Sequence, residues 1–306
     1  MVSGLVDSHY FISFQYVPYL SDTEINPAKA RKSSWIRHPL TENYFIDTLS
    51  RRLDPGFYWG KQTFNEPTTV PDTNFQSSLS MVTGTINQNI IYFHFNTFYV
   101  QLVHDSTYIY STWNRFLYYL DAPPKGLRGL ILDLRSNNGG AISDLTYIAG
   151  RLINKEIDFG YTRQKSGDGR LDYTSWVPAH FEPYYTENQA FTRPIVILTD
   201  QNSISMAELT TMALKMLPNT HVIGDTTWGA TGPLNSGLAD YNGGQFVFDN
   251  FGFVRTSIVQ FKYHNGMIYE GKGFPPDEYV PYSRDSLLAG NDVQLSAAVN
   301  FINENY

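Results

Sequence analysis

Two short stretches of the chain put groups suited to acyl-transfer chemistry directly after runs of apolar residues. In Ser203-Ile204-Ser205-Met206-Ala207-Glu208 a serine stands where a helix would begin. A serine there can act as a nucleophile, because the first N–H groups of a helix are unpaired and can hold the oxyanion formed on attack at a carbonyl. The same residues also fit a plainer role. Ser205 and Glu208 are three apart, the spacing of a capping box that merely closes a helix N-terminus. The second stretch is Arg135-Ser136-Asn137-Asn138-Gly139-Gly140. Its glycines allow positive φ and close backbone approach to a ligand, which suits an oxyanion hole and equally an ordinary turn. A nucleophilic serine needs a base, and seven histidines are available: His9, His38, His94, His104, His180, His221 and His264. Distance along the chain does not choose among them, since catalytic partners meet only in space. His94 lies in the aromatic run Ile91-Tyr92-Phe93-His94-Phe95, where a polar ring demands a hydrogen-bond partner whether its role is structural or catalytic. With Cys 0, thiolate nucleophiles, disulfides and cysteine-held metals are excluded. There is no His-Glu-x-x-His, EF-hand loop or Gly-Lys-Ser/Thr phosphate loop, so no metal or organic cofactor is expected.

The elements that must carry these groups are legible around them. Residues 130–134 form a short buried strand that ends in the glycine loop, and 142–153 then takes up helical spacing. Residues 194–198 repeat the pattern, leading into a helical stretch over 203–217 with apolar Met206, Leu209, Met212, Ala213, Met216 and Leu217. A third buried strand covers 221–224, while 89–98 reads as a strand and 111–120 as a helix. Strand, loop and helix in alternation predict an α/β domain with a largely parallel sheet, whose strand C-termini gather reactive loops at one edge. The first 80 residues carry only short strand-like pieces, such as 10–14, among turn-rich and basic segments. They are read as an irregular accessory region (1–80) ahead of a core over 81–306. No internal repeat or low-complexity segment is evident.

Composition bounds the rest. With 42% hydrophobic and only 17% charged residues among 306, the chain is rich enough in core-forming side chains to fold. A net charge of −7 gives no basic field for phosphates, so nucleic acid is not an expected partner. No window reaches the ~18 consecutive apolar residues of a membrane helix, and the start lacks the pattern of a secretory signal. No integral membrane segment is therefore expected.

Five segments in order resemble the C-terminal processing (tail-specific) serine peptidase family, which includes the tricorn core protease and the retinoid-binding repeats of photoreceptor matrix. They are Gly4-Leu5-Val6-Asp7-Ser8-His9, similar to the family's opening Leu-x-Asp-Gly-His; the strand and loop from Leu130 to Gly140; the serine segment around Ser205; Val222-Ile223-Gly224-Asp225-Thr226-Thr227-Trp228-Gly229; and Glu270-Gly271-Lys272-Gly273-Phe274-Pro275-Pro276-Asp277. The resemblance implies a crotonase-like or ClpP-like α/β core with Ser205 as nucleophile. It also implies an oxyanion hole from the N–H groups of Gly140 and Met206. Many members use a Ser-Lys dyad, and Ala230 stands where that lysine would be. The tricorn-like branch instead uses a histidine on a strand before the Leu-Asp-Leu-Arg motif and a late glutamate, and His94 and Glu270 match those places. The expected function is thus a serine endopeptidase acting on peptide or unfolded protein through a Ser-His-Glu arrangement, in a bacterial cell envelope, periplasmic or secreted setting. The alternative is a member that lost the chemistry and binds peptide or an apolar ligand in the same cleft; a purely structural module is a third reading. Ser8 replaces the family glycine, and no peptide-binding PDZ insertion is evident.

Overall fold

The structure is a computed structural model describing residues 9–14, 24–25, 44, 48–65, 76–105, 107–187, 189–234, 244–248 and 252–305. Its centre is a seven-stranded sheet in the order β14-β10-β9-β6-β5-β4-β3. Five strands run parallel: β5 (Ile90–Phe95), β6 (Gly129–Asp133), β9 (Ile195–Thr199), β10 (Thr220–Gly224) and β14 (Glu278–Tyr279). β3 (Tyr58–Asn65) and β4 (Gln76–Ile86) extend it antiparallel at one edge. β5, β6 and β9 are buried at every position, which is why they read as continuous apolar runs. A three-stranded sheet joins β13 (Val259–Tyr263), β7 (Ile157–Gln164) and β8 (Val177–Phe181). A four-stranded one joins β11 (Gly244–Phe248), β12 (Gly252–Thr256), β1 (Phe11–Phe14) and β2 (Glu24–Ile25).

Alternation along the strands divides the core in two. One face of the large sheet, with Phe93, Phe95, Leu130, Leu132 and Ile197, is covered by α1 (Tyr110–Asp121), α2 (Asp144–Ile148) and α3 (Met206–Leu214). Phe116 of α1 stacks on Phe93 with ring centroids 3.9 Å apart. The other face, with Ile90, Tyr92, Ile131, Val196 and Leu198, is covered by α5 (Val293–Asn305) through Leu295, Ala298 and Ile302. Each large aliphatic side chain so buried contributes roughly 1.5–3 kcal/mol. The short α4 (Arg284–Leu288) precedes α5. A buried ionic knot ties this layer to the sheet. The Arg135 guanidinium meets Asp133 at 2.6 Å and Asp292 at 2.9 Å and also reaches Gln294 Oε1, while the Tyr92 hydroxyl donates to Asp133.

The expected strands and helices are present, with shifts. The helix expected over 203–217 runs from Met206 to Leu214, because its first residues form the turn that carries Ser205. The stretch 142–153 is a single α turn continued as a 3-10 helix at Ala149–Leu152. The large sheet begins at Tyr58, ahead of the boundary drawn at residue 81. β3 is a half-exposed edge strand whose polar Lys61, Gln62 and Thr63 hide its role. Most of 1–57 lies outside the described residues, including the segment Gly4 to Ser8 and the basic stretch 29–32.

Candidate active site

β9 ends at Thr199, and the chain turns through Asp200 to Ile204 before entering α3. Buried hydrogen bonds hold this turn against the glycine loop. Asp200 accepts from the Ser136 N–H at 2.9 Å, Ser203 Oγ donates to the Leu134 carbonyl at 2.8 Å, and the Ile204 N–H donates to the Asn137 carbonyl at 2.9 Å. Burial pushes the Asp200 carboxyl above its usual range. Ser205 then takes φ 57° and ψ −112°. An ordinary N-cap residue sits in the β region, and a positive φ on a side-chain-bearing residue costs roughly 1–2 kcal/mol. Such strain persists only where surroundings enforce it, and a sharp strained strand-to-helix turn is how hydrolases raise a nucleophile above a sheet. The capping box is also present, with Glu208 accepting the Ser205 N–H at 3.0 Å.

Glu208 does more than cap. It is fully buried, and its carboxylate also receives the Thr227 hydroxyl at 2.5 Å, the Gly229 N–H at 2.6 Å and the Ala230 N–H at 2.7 Å. Burial raises its pKa, and these four donors work against the rise. The carboxylate thereby fixes the 227–230 segment to the serine turn. Ala230 packs with Trp228 and Ile204, so it borders the residue before Ser205.

The glycine loop closes over the same serine. Asn137 braces it, donating to the Phe95 carbonyl at 2.7 Å and accepting the Gly139 N–H at 2.9 Å. The Gly139 carbonyl accepts from the Phe98 N–H, and the Phe98 carbonyl accepts from the Ala141 N–H, both at 2.7 Å. This parallel bridge skips the Gly140 N–H. Met206 is the first residue of α3, so its N–H has no intrahelical acceptor. Among the described residues, neither N–H has a protein acceptor.

A Cβ on Gly139 would stand 2.7 Å from Ser205 Cβ and 2.9 Å from the Met206 nitrogen, at a φ of +81°. Gly139→Ala is therefore expected to cost on the order of 3 kcal/mol, from strain and overpacking together, and to disturb the serine turn. Denaturant unfolding checks this; an unchanged midpoint would mean the loop and turn are not in fixed contact.

His94 does not join this arrangement. Its strand, β5, is separated from β9 by β6, two strand spacings or roughly 10 Å. Its side chain shares the face of Tyr92, whereas α3 covers the face of Phe93 and Phe95. The ring is buried with Nδ1 3.0 Å from the Asp133 carbonyl oxygen, and burial lowers its pKa to about 4. A histidine ordinarily titrates near 6.5, so the unfolded chain takes up a proton between about pH 6.5 and 4 that the folded chain refuses. Stability should fall by about 3 kcal/mol as pH drops through that window. Asp144, raised by burial to about 6, works in the opposite sense. Comparing wild type with His94→Asn isolates the histidine. Identical acid limbs in the two unfolding curves would rule out this role.

The structure gathers other groups instead. Glu270 accepts the Thr231 and Gly232 N–H groups at 2.6 and 2.7 Å, immediately after Ala230. Ser257 Oγ donates to the Gly232 carbonyl at 3.1 Å and lies 3.4 Å from His9 Nδ1. His9, half-buried, leads into β1, which pairs with β12, the strand that runs into Ser257. Glu270 thus holds the dipeptide Thr231-Gly232, which continues from the Glu208-bound segment, and Ser257 links the same dipeptide to His9. The signal for His9 was its place in the opening Asp-x-His segment.

Known proteins agree with this architecture. Residues 89–280 match the sequence profile of peptidase family S41, and the chain belongs to that family. It is 27% identical over 105 residues to the carboxy-terminal processing protease CtpB of Bacillus subtilis, an alignment covering 34% of this chain and 20% of that protein. It is 25% identical over 177 residues to the tricorn protease of Thermoplasma acidophilum, covering 58% of this chain and 14% of the other. The chain thus spans a fifth or less of these relatives' own length. A putative peptidase from Parabacteroides merdae superposes over 98% of this chain and 79% of its own, with a TM-score of 0.70 at 21% identity.

Proposed function

We propose that the chain is a serine peptidase in which Ser205 attacks a peptide carbonyl, His9 is the base and Glu270 supports the charge that the imidazole acquires. As the Ser205 Oγ–carbon bond forms, the hydroxyl proton passes to His9, and the oxyanion is held by the Gly140 and Met206 N–H groups. The carbon–nitrogen bond then breaks and the leaving amine takes the proton from His9. Water, deprotonated by the same imidazole, hydrolyses the acyl-enzyme. The observation that carries the reading is the strained Ser205 turn beside the glycine loop, together with the Gly140 and Met206 N–H groups, which have no acceptor among the described residues. His9 takes the place first expected for His94 because Ser257 and Gly232 link it to the segment beside the serine turn. The substrate is peptide or unfolded protein. An extracytoplasmic setting is part of the proposal, supported by Cys 0 and by relatives that are bacterial processing proteases. Ala230, in the place of the family lysine, favours a silent peptide-binding protein as the second reading.

A fluorophosphonate probe separates the two. It should label wild type and His94→Asn alike but fail on His9→Gln, with labelling rising with pH as the imidazole loses its proton. Unlabelled wild type at every pH from mildly acid to mildly alkaline would favour the silent binder. Labelling that survives His9→Gln would exclude this base.

A further inference from the structure

The three-stranded sheet carries a face that this chemistry does not use. Its register sets Lys262 opposite Tyr161 and Gln260 opposite Arg163 on the outward side, while Phe261 and Tyr263 turn to the core. Cations and rings interleave outward. The Arg163 guanidinium lies 4.5 Å from the centre of the Tyr173 ring and 4.6 Å from that of Trp176. Lys262 Nζ lies 4.3 Å from Trp176 and 5.1 Å from Tyr161, and Lys165 Nζ is 4.8 Å from Tyr173. Arg163 also donates to Gln260, and Lys165 to the Gly169 carbonyl. Among the described residues none of these three cations forms an ion pair, in a chain whose net charge is −7. The row also points toward the candidate site. The Lys165 N–H donates to the Ile258 carbonyl at 3.0 Å, and Ile258 follows Ser257.

We propose that this face binds an extended acidic polypeptide segment, and, resting on the peptidase reading, that the segment belongs to the substrate of Ser205. An extended chain presents every second side chain on one side at intervals of roughly 6.6–6.8 Å, the interval between Lys165 and Arg163 along the continuation of β7. Stacking on rings leaves the cationic charge intact while fixing the side chains in advance, so little ordering remains to oppose binding. Carboxylates at alternate positions supply the missing counter-charges, and the guanidinium edge can take one through two hydrogen bonds.

Fluorescence anisotropy on Ser205→Ala, which cannot cleave, tests this with a labelled alternating Glu-Ala peptide about ten residues long. Binding should weaken as salt rises from about 0.05 to about 0.3 M, and should be about tenfold weaker in Arg163→Gln/Lys262→Gln. The charge-reversed Arg163→Glu/Lys262→Glu should instead prefer an alternating Lys-Ala peptide, a gain that misfolding cannot produce. Equal binding of Glu-Ala and Gln-Ala peptides, or an unchanged neutral variant, would overturn the proposal. So would tighter binding of a short oligothymidylate or of phosphatidylglycerol vesicles than of the acidic peptide. Wild type that binds the peptide yet resists the fluorophosphonate would sink the peptidase reading and leave this site standing.

Discussion

Ser205→Ala is expected to abolish fluorophosphonate labelling and to lower peptide hydrolysis by at least about 10³-fold, since it removes the nucleophile of the proposed mechanism; labelling that persists would point to Ser257, 3.4 Å from His9, instead. Its thermal midpoint should fall only slightly, because losing a serine cap costs about 1 kcal/mol. Ser205→Gly separates the strained turn from the cap more sharply. Glycine gives up only a few tenths of a kcal/mol as a cap but relieves roughly 1–2 kcal/mol of positive-φ strain, so the inactive glycine variant should be more stable than wild type. A glycine variant with a lowered midpoint would show that Ser205 serves the helix end and stores no strain.

The largest effect on stability belongs to Glu208. Truncation to alanine strips the acceptor from three N–H groups and one hydroxyl in a site closed to water. Each buried donor left alone costs about 1–3 kcal/mol, so even with partial relaxation the loss should be on the order of 5 kcal/mol. At roughly 2–4 °C per kcal/mol for a domain of this size, the midpoint should drop by about 10 °C or more. Glu208→Gln keeps the shape but points an amide N–H₂ at the same donors, and should fall between the two. Circular dichroism during heating gives the answer; an alanine variant within about 2 °C of wild type would mean that the segment from Thr227 to Ala230 holds its place without the carboxylate.

What could be read from the sequence follows from how each element is buried. β6 and β9 are buried at every position, so their residues are apolar up to the last one and mark themselves. The loops that follow carry Gly139, Gly140 and Ser205, whose types already suggest positive φ and a helix start. β3 escaped because an edge strand keeps one side in water, and its polar residues resemble those of a turn-rich segment. His94 misled for a different reason. Alternation along β5 does put it on the same side as Tyr92, but which side α3 would cover is settled by how the helices pack, and no period in the chain records that. His9 meets Ser257 only because β1 pairs with β12, a contact between residues 248 positions apart. The role of Glu208 as a hub was half visible. Its spacing from Ser205 gave the cap, while its three other donors come from a segment about twenty residues further on.

The ionic knot beneath the glycine loop has a consequence for a chain still being made. Arg135 is the residue at which β6 passes into that loop, and one of its two carboxylate partners, Asp292, lies 157 residues later. A ribosome delivers Ser205, Gly140 and Glu270 before it delivers Asp292. Until then a guanidinium at the foot of the glycine loop must stay hydrated or be buried with half its counter-charge, which is costly. Vectorial synthesis therefore leaves the foot of the glycine loop without its second carboxylate until Asp292, the residue just ahead of α5, has emerged.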